Sequence, residues 1–255
     1  MTPRLIGMVH LGALPGSPAF DGDLTGVIER GRRDAETLAA AGFDAIMVEN
    51  FGDAPFFADA VPPATIAAMS VAAAAIADAV DVSIGINVLR NDALAALAIA
   101  SAVDADFIRV NVLSGTMFTD QGPIVGRAAE VARARGTLAP NTRVFADVFV
   151  KHATPPPGSS LRLAAADLWE RGGADALIVS GDGTGDPIDP ESLSEVTAAV
   201  PDAPVLVGSG ATERTVASLL EKANGVIVGT ALKVGRVTTA PVDATLARQF
   251  VAAAG

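Results

Sequence analysis

The fold of this chain is decided by two glycine turns, VGSGAT at positions 207–212 and VGTAL at positions 228–232. Each turn follows a short apolar run that is typical of a buried parallel strand, and each leads into a helical pattern. Backbone amides and the N-terminus of a helix both favour the negative charge of a phosphate group. In (β/α)8 barrels the phosphate site commonly lies in the loops after strands seven and eight. The two turns therefore predict an α/β fold, a (β/α)8 TIM barrel with a phosphate site at its last two loops.

Strand and helix patterns alternate along the whole chain, which predicts one barrel domain over residues 1–255. The predicted strands are the Val/Ile-rich runs 4–9, 44–49, 82–88, 106–112, 143–150, 175–180, 204–208 and 225–229. The predicted helices are 24–41, 63–80, 91–103, 122–136, 159–172, 190–200, 212–222 and 241–253. A doubly wound open sheet is the alternative, but no Gly-x-Gly-x-x-Gly motif follows the first strand, where a dinucleotide fold would carry it.

Composition and charge limit the classes of function. Half of the residues are hydrophobic and only 4% are aromatic, so Val, Ile, Leu and Ala must form the core. The chain has no cysteine, which excludes disulfides, zinc–thiolate sites and cysteine nucleophiles. A net charge of −11 argues against a nucleic-acid surface, and no apolar run reaches the length of a membrane span. We expect a cytoplasmic protein, and its Ala-rich helices favour a homo-oligomer.

Polar side chains follow the predicted strands at their C-terminal ends, the rim where barrels of this kind carry reacting and binding groups. Both histidines of the chain, His10 and His152, fall on this rim. The predicted catalytic residues are His10, Glu49, Asp147 and Lys151. The predicted substrate- and phosphate-binding residues are Asn87, Arg109, Asn111, Ser180, Gly181, Gly208, Ser209, Gly210, Gly229 and Thr230.

Several of these residues also have a structural interpretation. Glu49 suits a general base or a metal ligand, and a buried Lys151 suits a Schiff base or a phosphate contact, although a solvated loop lysine is the alternative. His10 could instead cap its strand by bonding a backbone carbonyl. Arg109 lies inside a strand pattern, so its guanidinium needs either an anionic ligand or a carboxylate of the protein. Asp147 is one such carboxylate, and a salt bridge is its alternative role.

Three further features complete the rim. Lys233 follows the second glycine turn and could reach a phosphate or lie on the surface, whereas Lys222 ends a helix and is expected to be a surface charge. Asp182 and Asp186 flank a glycine-containing segment that is typical of a mobile binding loop. Carboxylates and histidines of the rim could hold a divalent metal, but closely spaced histidines are absent, so no cofactor is predicted and a metal stays an alternative.

Eight motifs are spread over nearly the whole chain. They are IGMVHLGALPGSP at 6–18, VENFGDAPF at 48–56, GINVLRND at 85–92, FIRVN at 107–111, TDQG at 119–122, DVFVKHA at 147–153, IVSG at 178–181 and VGSG at 207–210. Together these motifs resemble those of the BtpA/SgcQ family. The resemblance implies a TIM-like, phosphate-binding barrel. One branch of that family is associated with stable accumulation of photosystem I, and another with sugar-utilisation gene clusters. The resemblance does not specify a reaction.

Two hypotheses of function follow. The first is an enzyme that acts on a small phosphorylated metabolite, a sugar phosphate or a nucleotide-derived compound. Lyase or aldolase, isomerase or epimerase, and glycosidic or pyrophosphate cleavage chemistry all fit the rim residues. The second is a non-catalytic assembly or stability factor for a protein complex, of the kind associated with photosystem I.

Overall fold

Short runs of Val, Ile, Leu and Ala form the barrel, because strands buried on both faces must be apolar. In the computed structural model, which describes residues 2–181 and 183–255, eight parallel strands close into a barrel in the order β1-β2-β3-β4-β7-β9-β10-β11. The strands in chain order are β1 (Leu5–His10), β2 (Ala45–Glu49), β3 (Ser83–Asn87), β4 (Phe107–Val110), β5 (Thr116–Thr119), β6 (Gly122–Val125), β7 (Arg143–Asp147), β8 (Ala153–Thr154), β9 (Ala176–Val179), β10 (Val205–Val207) and β11 (Gly225–Val228). The predicted (β/α)8 barrel is confirmed.

Helices connect successive barrel strands and cover the outside of the barrel. They are α1 (Leu24–Ala41), α2 (Pro63–Ala77), α3 (Ala93–Val103), α4 (Ala128–Leu138), α5 (Leu161–Ala166), α6 (Pro190–Ala199), α7 (Val216–Leu220) and α8 (Ala244–Ala254). Their ends follow from local chemistry: the Asp23 carboxylate accepts the Gly26 N–H at the start of α1, and Gly42 ends that helix at φ 101°. None of the helices in the described part of the chain has the length and apolarity that a bilayer crossing needs.

The predicted helix 122–136 is wrong over its first residues. Gly122–Val125 is the strand β6, which pairs antiparallel with β5, and β5 pairs in turn with β8. Ile124 is buried while Pro123 and Val125 are exposed, an alternation that fits a strand with one packed face. The three strands form a small sheet outside the barrel, and helix α4 begins only at Ala128.

A layer of apolar side chains fills the barrel interior below the rim. Its buried members are Ile6, Met8, Ala45, Met47, Phe107, Phe145, Ala176, Ile178, Leu206 and Ile227. The rings of Phe107 and Phe145 stack with their centroids 4.6 Å apart. The Phe107 ring lies where a side chain of Gly85 would be, since a Cβ there would meet it at 2.2 Å. This layer, which we call the apolar floor, seals the barrel beneath the polar rim.

Candidate active site at the barrel mouth

The same strand alternation that fills the interior also builds the rim. Side chains two residues apart on a strand point to the same side, so His10 follows Met8 inward, Glu49 follows Met47 and Asp147 follows Phe145. The rim layer has one such residue on each barrel strand or directly after it: His10, Glu49, Asn87, Arg109, Asp147, Ser180, Gly208 and Gly229. The structure thus brings the sequence-predicted residues of the rim together at one mouth.

Arg109 and Asp147 form a buried ion pair across two neighbouring strands. The Nε and Nη2 atoms of Arg109 donate to the two carboxylate oxygens of Asp147 at 2.9 and 2.8 Å. Asn111 Nδ2 and Ser180 Oγ donate to the same carboxylate, each at 3.3 Å. These four donors all bond the Asp147 carboxylate, and the geometry supports the salt-bridge interpretation of both residues.

Asn87 extends this network but keeps one free acceptor. Its Nδ2 donates to the Arg109 backbone oxygen at 3.1 Å and to Asn111 Oδ1 at 3.0 Å. Its Oδ1 is buried and has no hydrogen-bond partner among the described residues. A buried acceptor without a donor costs stability, so this oxygen is available for a hydroxyl or amide of a ligand.

His10 and Glu49 face each other at the mouth. His10 Nδ1 bonds the Thr238 backbone oxygen at 3.2 Å, and because a carbonyl only accepts, Nδ1 carries the proton. Burial, together with the charge of Lys233, lowers the pKa of His10 to about 3. Nε2 is then an unprotonated acceptor that lies 3.7 Å from Glu49 Oε1. Burial also raises the pKa of Glu49, so this contact joins two groups that both favour their neutral forms.

Lys151 is a further cation beside this pair. It follows β7, and burial, reinforced by the charge of Arg109, lowers its pKa from 10.5 to about 8. Lys151 lines a cavity of about 170 Å³ together with His10, Glu49 and Arg109. A lysine amine that loses its proton near neutral pH can act as a base or as a nucleophile.

The two glycine turns form the other wall of this cavity. Five of their backbone N–H groups donate no hydrogen bond within the described part of the chain: those of Ser209, Gly210, Ala211, Thr230 and Ala231. Gly208 and Gly229 leave the mouth open, since a Cβ at Gly208 would lie 2.4 Å from Ser180 Oγ and one at Gly229 would lie 2.7 Å from His10 Cε1. We call these amides and glycines the glycine cradle.

The glycine cradle differs in one respect from the sequence prediction. Helix α7 begins only at Val216, since Thr212 N donates to Thr215 Oγ1 at 3.0 Å in a separate turn. After β11 the chain forms the three-residue 3₁₀ turn Thr230–Leu232. Loop amides therefore supply the donors, with little contribution from a helix dipole.

Other predicted residues of the rim have internal partners. Ser209 Oγ accepts the Gly181 N–H at 3.0 Å and donates to the Asp186 backbone oxygen at 3.3 Å, so these groups hold two loops together. His152 Nε2 accepts the Thr184 N–H at 3.1 Å. Asp182 lies outside the described residues, and among those described no three His, Asp or Glu side chains form a metal-binding group.

The Lys233 side chain lies in neither of its two predicted positions. Its side chain is 1% exposed, and Nζ donates to Asp34 Oδ2 on α1 at 2.7 Å. The other oxygen of Asp34 accepts the Val242 N–H at 2.8 Å. Lys233 therefore neither reaches the phosphate turn nor lies on the surface, and it anchors the loop that follows that turn. Lys222 is exposed, as predicted.

Two residues of the site lack a recognisable sequence signal. Thr238 positions His10 through its backbone oxygen, and any residue type can supply that oxygen. Arg236 lines the 170 Å³ cavity from the same loop and pairs with Glu213 at 3.0 Å. Asp34 anchors this loop by holding Lys233, and no local pattern indicates that pairing.

Comparisons with known proteins agree with the fold and identify relatives. The model of the BtpA family matches residues 1–255. An uncharacterized protein of Thermococcus kodakarensis is 49% identical over 231 residues, covering 90% of this chain and 86% of that protein. The photosystem I biogenesis protein BtpA of Synechocystis is 47% identical over 229 residues, covering 90% and 80%. The solved phosphoribosyl anthranilate isomerase of Thermus thermophilus has a TM-score of 0.61 at 15% identity, covering 98% of this chain and 97% of that one, which is a likeness of fold alone.

Proposed function

We propose that this chain, which belongs to the BtpA family, is an enzyme. It binds a small phosphorylated metabolite at the barrel mouth and transfers a proton to or from that metabolite. One observation carries the proposal. Two titratable groups, the buried Glu49 and the half-buried Lys151, share a cavity with the unbonded amides of the glycine cradle. Reacting groups and an anion site thus lie within one small volume.

The glycine cradle supports the phosphate part of the proposal. Unbonded amides that converge on one cavity bind phosphate oxygens without a formal charge of their own. Lys151 adds a positive charge to the same cavity. This local arrangement matters because the chain carries a net charge of −11 and does not attract anions over long distances. The solved barrel that resembles this chain is named for a phosphoribosyl compound, which agrees with a phosphorylated ligand.

Glu49 and Lys151 support the proton-transfer part. Burial raises the pKa of Glu49 and lowers that of Lys151 to about 8, so both approach the range in which a group gives and takes a proton at neutral pH. A pair of titratable groups shifted in opposite directions is a pattern of acid–base sites. His10, neutral and with Nε2 as an acceptor 3.7 Å from Glu49 Oε1, is placed to accept a hydrogen bond from a substrate hydroxyl beside Glu49.

This chemistry serves isomerases and epimerases, which move a proton next to a carbonyl. It also serves aldolases or other lyases, in which Lys151 forms a Schiff base, and glycosidic cleavage, in which Glu49 protonates a leaving group. We assign Asp147 the role of holding Arg109 at the mouth, since the Arg109 guanidinium donates to both of its carboxylate oxygens. Asn87 offers its free Oδ1 to the substrate. A sugar phosphate or a nucleotide-derived phosphate fits these groups.

A second candidate function is a non-catalytic role in the assembly of a protein complex. Its support is the relative from Synechocystis, whose name assigns it to photosystem I biogenesis. A barrel that serves only as a structural unit gains nothing from placing Glu49 and Lys151 together at its mouth. In that case, substitution of either residue would leave the biological role intact.

Thermal unfolding with a panel of phosphorylated sugars and nucleotides tests the proposal. We expect at least one compound to raise the Tm, since a ligand present at a hundred times its Kd stabilises a protein by about 2.7 kcal/mol. Lys151→Met should abolish the rise, while Lys222→Met, at an exposed lysine, should retain it. A panel without any effect on the unmodified protein would overturn the enzyme proposal in favour of the assembly role.

A further inference from the structure

A second cavity, of about 330 Å³, adjoins the one that contains the glycine cradle. Glu49, Lys151 and Thr184 line both cavities, so the proposed reacting groups stand at their junction. The second cavity extends away from the glycine cradle, with Phe51, Phe56 and Leu89 as apolar walls. A ligand held at the glycine cradle therefore has space beyond the reacting groups for the rest of its skeleton.

Arg90 brings a buried charge to this second cavity. The residue follows β3, is 5% exposed and lines the cavity beside Lys151 and Leu89. No carboxylate of the described residues lies within ion-pair distance of its guanidinium, and its one hydrogen bond there runs from Nη2 to the Lys151 backbone oxygen. Arginine has five N–H donors, so most of its donors remain free.

The comparison with Arg109 shows what Arg90 lacks. Both guanidinium groups are buried at the mouth, but Arg109 has both oxygens of Asp147 as partners. Buried arginine is rarely found without such a partner, because removing its charge from water is costly. Asp120 also lines the second cavity, yet it is exposed on the turn between β5 and β6, and Gln121 Nε2 donates to it. Asp120 therefore forms no ion pair with Arg90, and its charge acts on the guanidinium only from a distance.

We infer that Arg90 is the binding group for a carboxylate of the substrate, which would then carry a phosphate at one end and a carboxylate at the other. The inference rests on the proposed function and specifies its substrate class. A planar guanidinium with free donors matches the two oxygens of a carboxylate. One uncompensated positive charge suits a monoanion better than a second phosphate dianion, particularly beside Asp120. The reacting carbon would lie between the two anionic groups, next to Glu49 and Lys151.

Calorimetric titration with matched ligands tests this inference. The probes are phosphoglycerate, phosphoerythronate and phosphogluconate, which differ in the distance between phosphate and carboxylate. Each is paired with the polyol phosphate of the same skeleton, in which an alcohol replaces the carboxylate, and inorganic phosphate serves as a reference. We expect at least one carboxylate to bind roughly ten- to a hundredfold more tightly than its polyol partner, the gain of a charged hydrogen-bonded contact.

Variants at position 90 assign the gain to Arg90. Arg90→Gln keeps a donor for the Lys151 backbone oxygen but removes the charge, so it should bind the carboxylate and the polyol equally. Arg90→Lys keeps the charge and should retain part of the difference. Both variants should bind inorganic phosphate as the unmodified protein does, which also verifies that they are folded.

The outcomes separate the two proposals. If polyol phosphates and inorganic phosphate bind but no carboxylate gains affinity, the Arg90 subsite is wrong and the phosphate site stands. If Arg90→Gln still binds a carboxylate more tightly than its polyol partner, the role of Arg90 is also overturned. If no phosphorylated compound binds the unmodified protein, the proposed function and the Arg90 subsite fall together.

Discussion

The guanidinium of Arg109 holds both carboxylate oxygens of Asp147, at 2.9 and 2.8 Å, where both side chains are almost completely buried. This pair links β4 and β7 at the barrel mouth, and Asn87 and Asn111 attach to it through their amides. A buried ion pair of this kind is stable only while both partners are present. Its integrity therefore determines the shape of the mouth.

Asp147→Asn should destabilise the fold strongly. The substitution leaves the buried charge of Arg109 without its counter-charge, which typically costs about 3–5 kcal/mol. The free energy of unfolding in urea measures the effect, and Asp175→Asn, at the more exposed pair with Arg135, is the control with a smaller expected loss. Equal losses in the two variants would contradict the structural role of Asp147.

Glu49→Gln should make the protein more stable in weakly alkaline solution. Burial raises the pKa of Glu49 above its usual 4.5, so the folded state binds this proton more tightly than the unfolded state does. Stability due to Glu49 is therefore lost as the pH rises from 4.5 through the raised pKa, and glutamine avoids that loss. Urea unfolding at several pH values should show a gain that shrinks towards pH 4.5. A variant that is nowhere more stable would refute the raised pKa.

Lys151 should react with an acylating reagent at unusually low pH. Its pKa is lowered to about 8, first by burial and then by Arg109, so its unprotonated fraction rises around that pH. Mass spectrometry of peptides gives the labelling rate at each lysine as a function of pH. Lys222, exposed in the same digest, is the internal reference. A rate profile for Lys151 with its midpoint near the ordinary 10.5 would disprove the shift.

Lys233→Met should destabilise the protein and also disturb the mouth. Removing the lysine leaves Asp34 buried without its cation, at a cost of about 3–5 kcal/mol. The loop that carries Thr238 loses its anchor, so the Nδ1 tautomer of His10 should become less favoured in nitrogen NMR spectra. Arg32→Met, at an exposed pair with Glu36, should change neither property appreciably. An unchanged His10 tautomer would show that the pair of Lys233 and Asp34 does not position Thr238 against His10.

The barrel and its rim could be predicted because they depend on local patterns. Runs such as Ile84–Ile86 and Val226–Val228 are apolar on both faces, which indicates parallel strands, and such strands end at one edge. Glu49 and Lys151 were therefore expected at the same mouth. The small sheet of β5, β6 and β8 was not expected, because its strands are short. Glycine and proline, as at Gly122 and Pro123, also occur at the start of helices.

Not every pairing of distant residues could be predicted. Asp34 and Lys233 are 199 positions apart, and neither has a neighbour that indicates the contact. In the sequence Arg90 follows one predicted strand and Arg109 lies in the next, and only the structure distinguishes the arginine with a carboxylate partner from the one without.

The apolar floor closes the barrel beneath the mouth, where the stacked rings of Phe107 and Phe145 fill the interior. In the proposed reaction, product and substrate would therefore both pass through the mouth. Product that remains bound at the mouth would then compete directly with incoming substrate. The rate of turnover would depend on how readily the loops around the mouth release the anionic product.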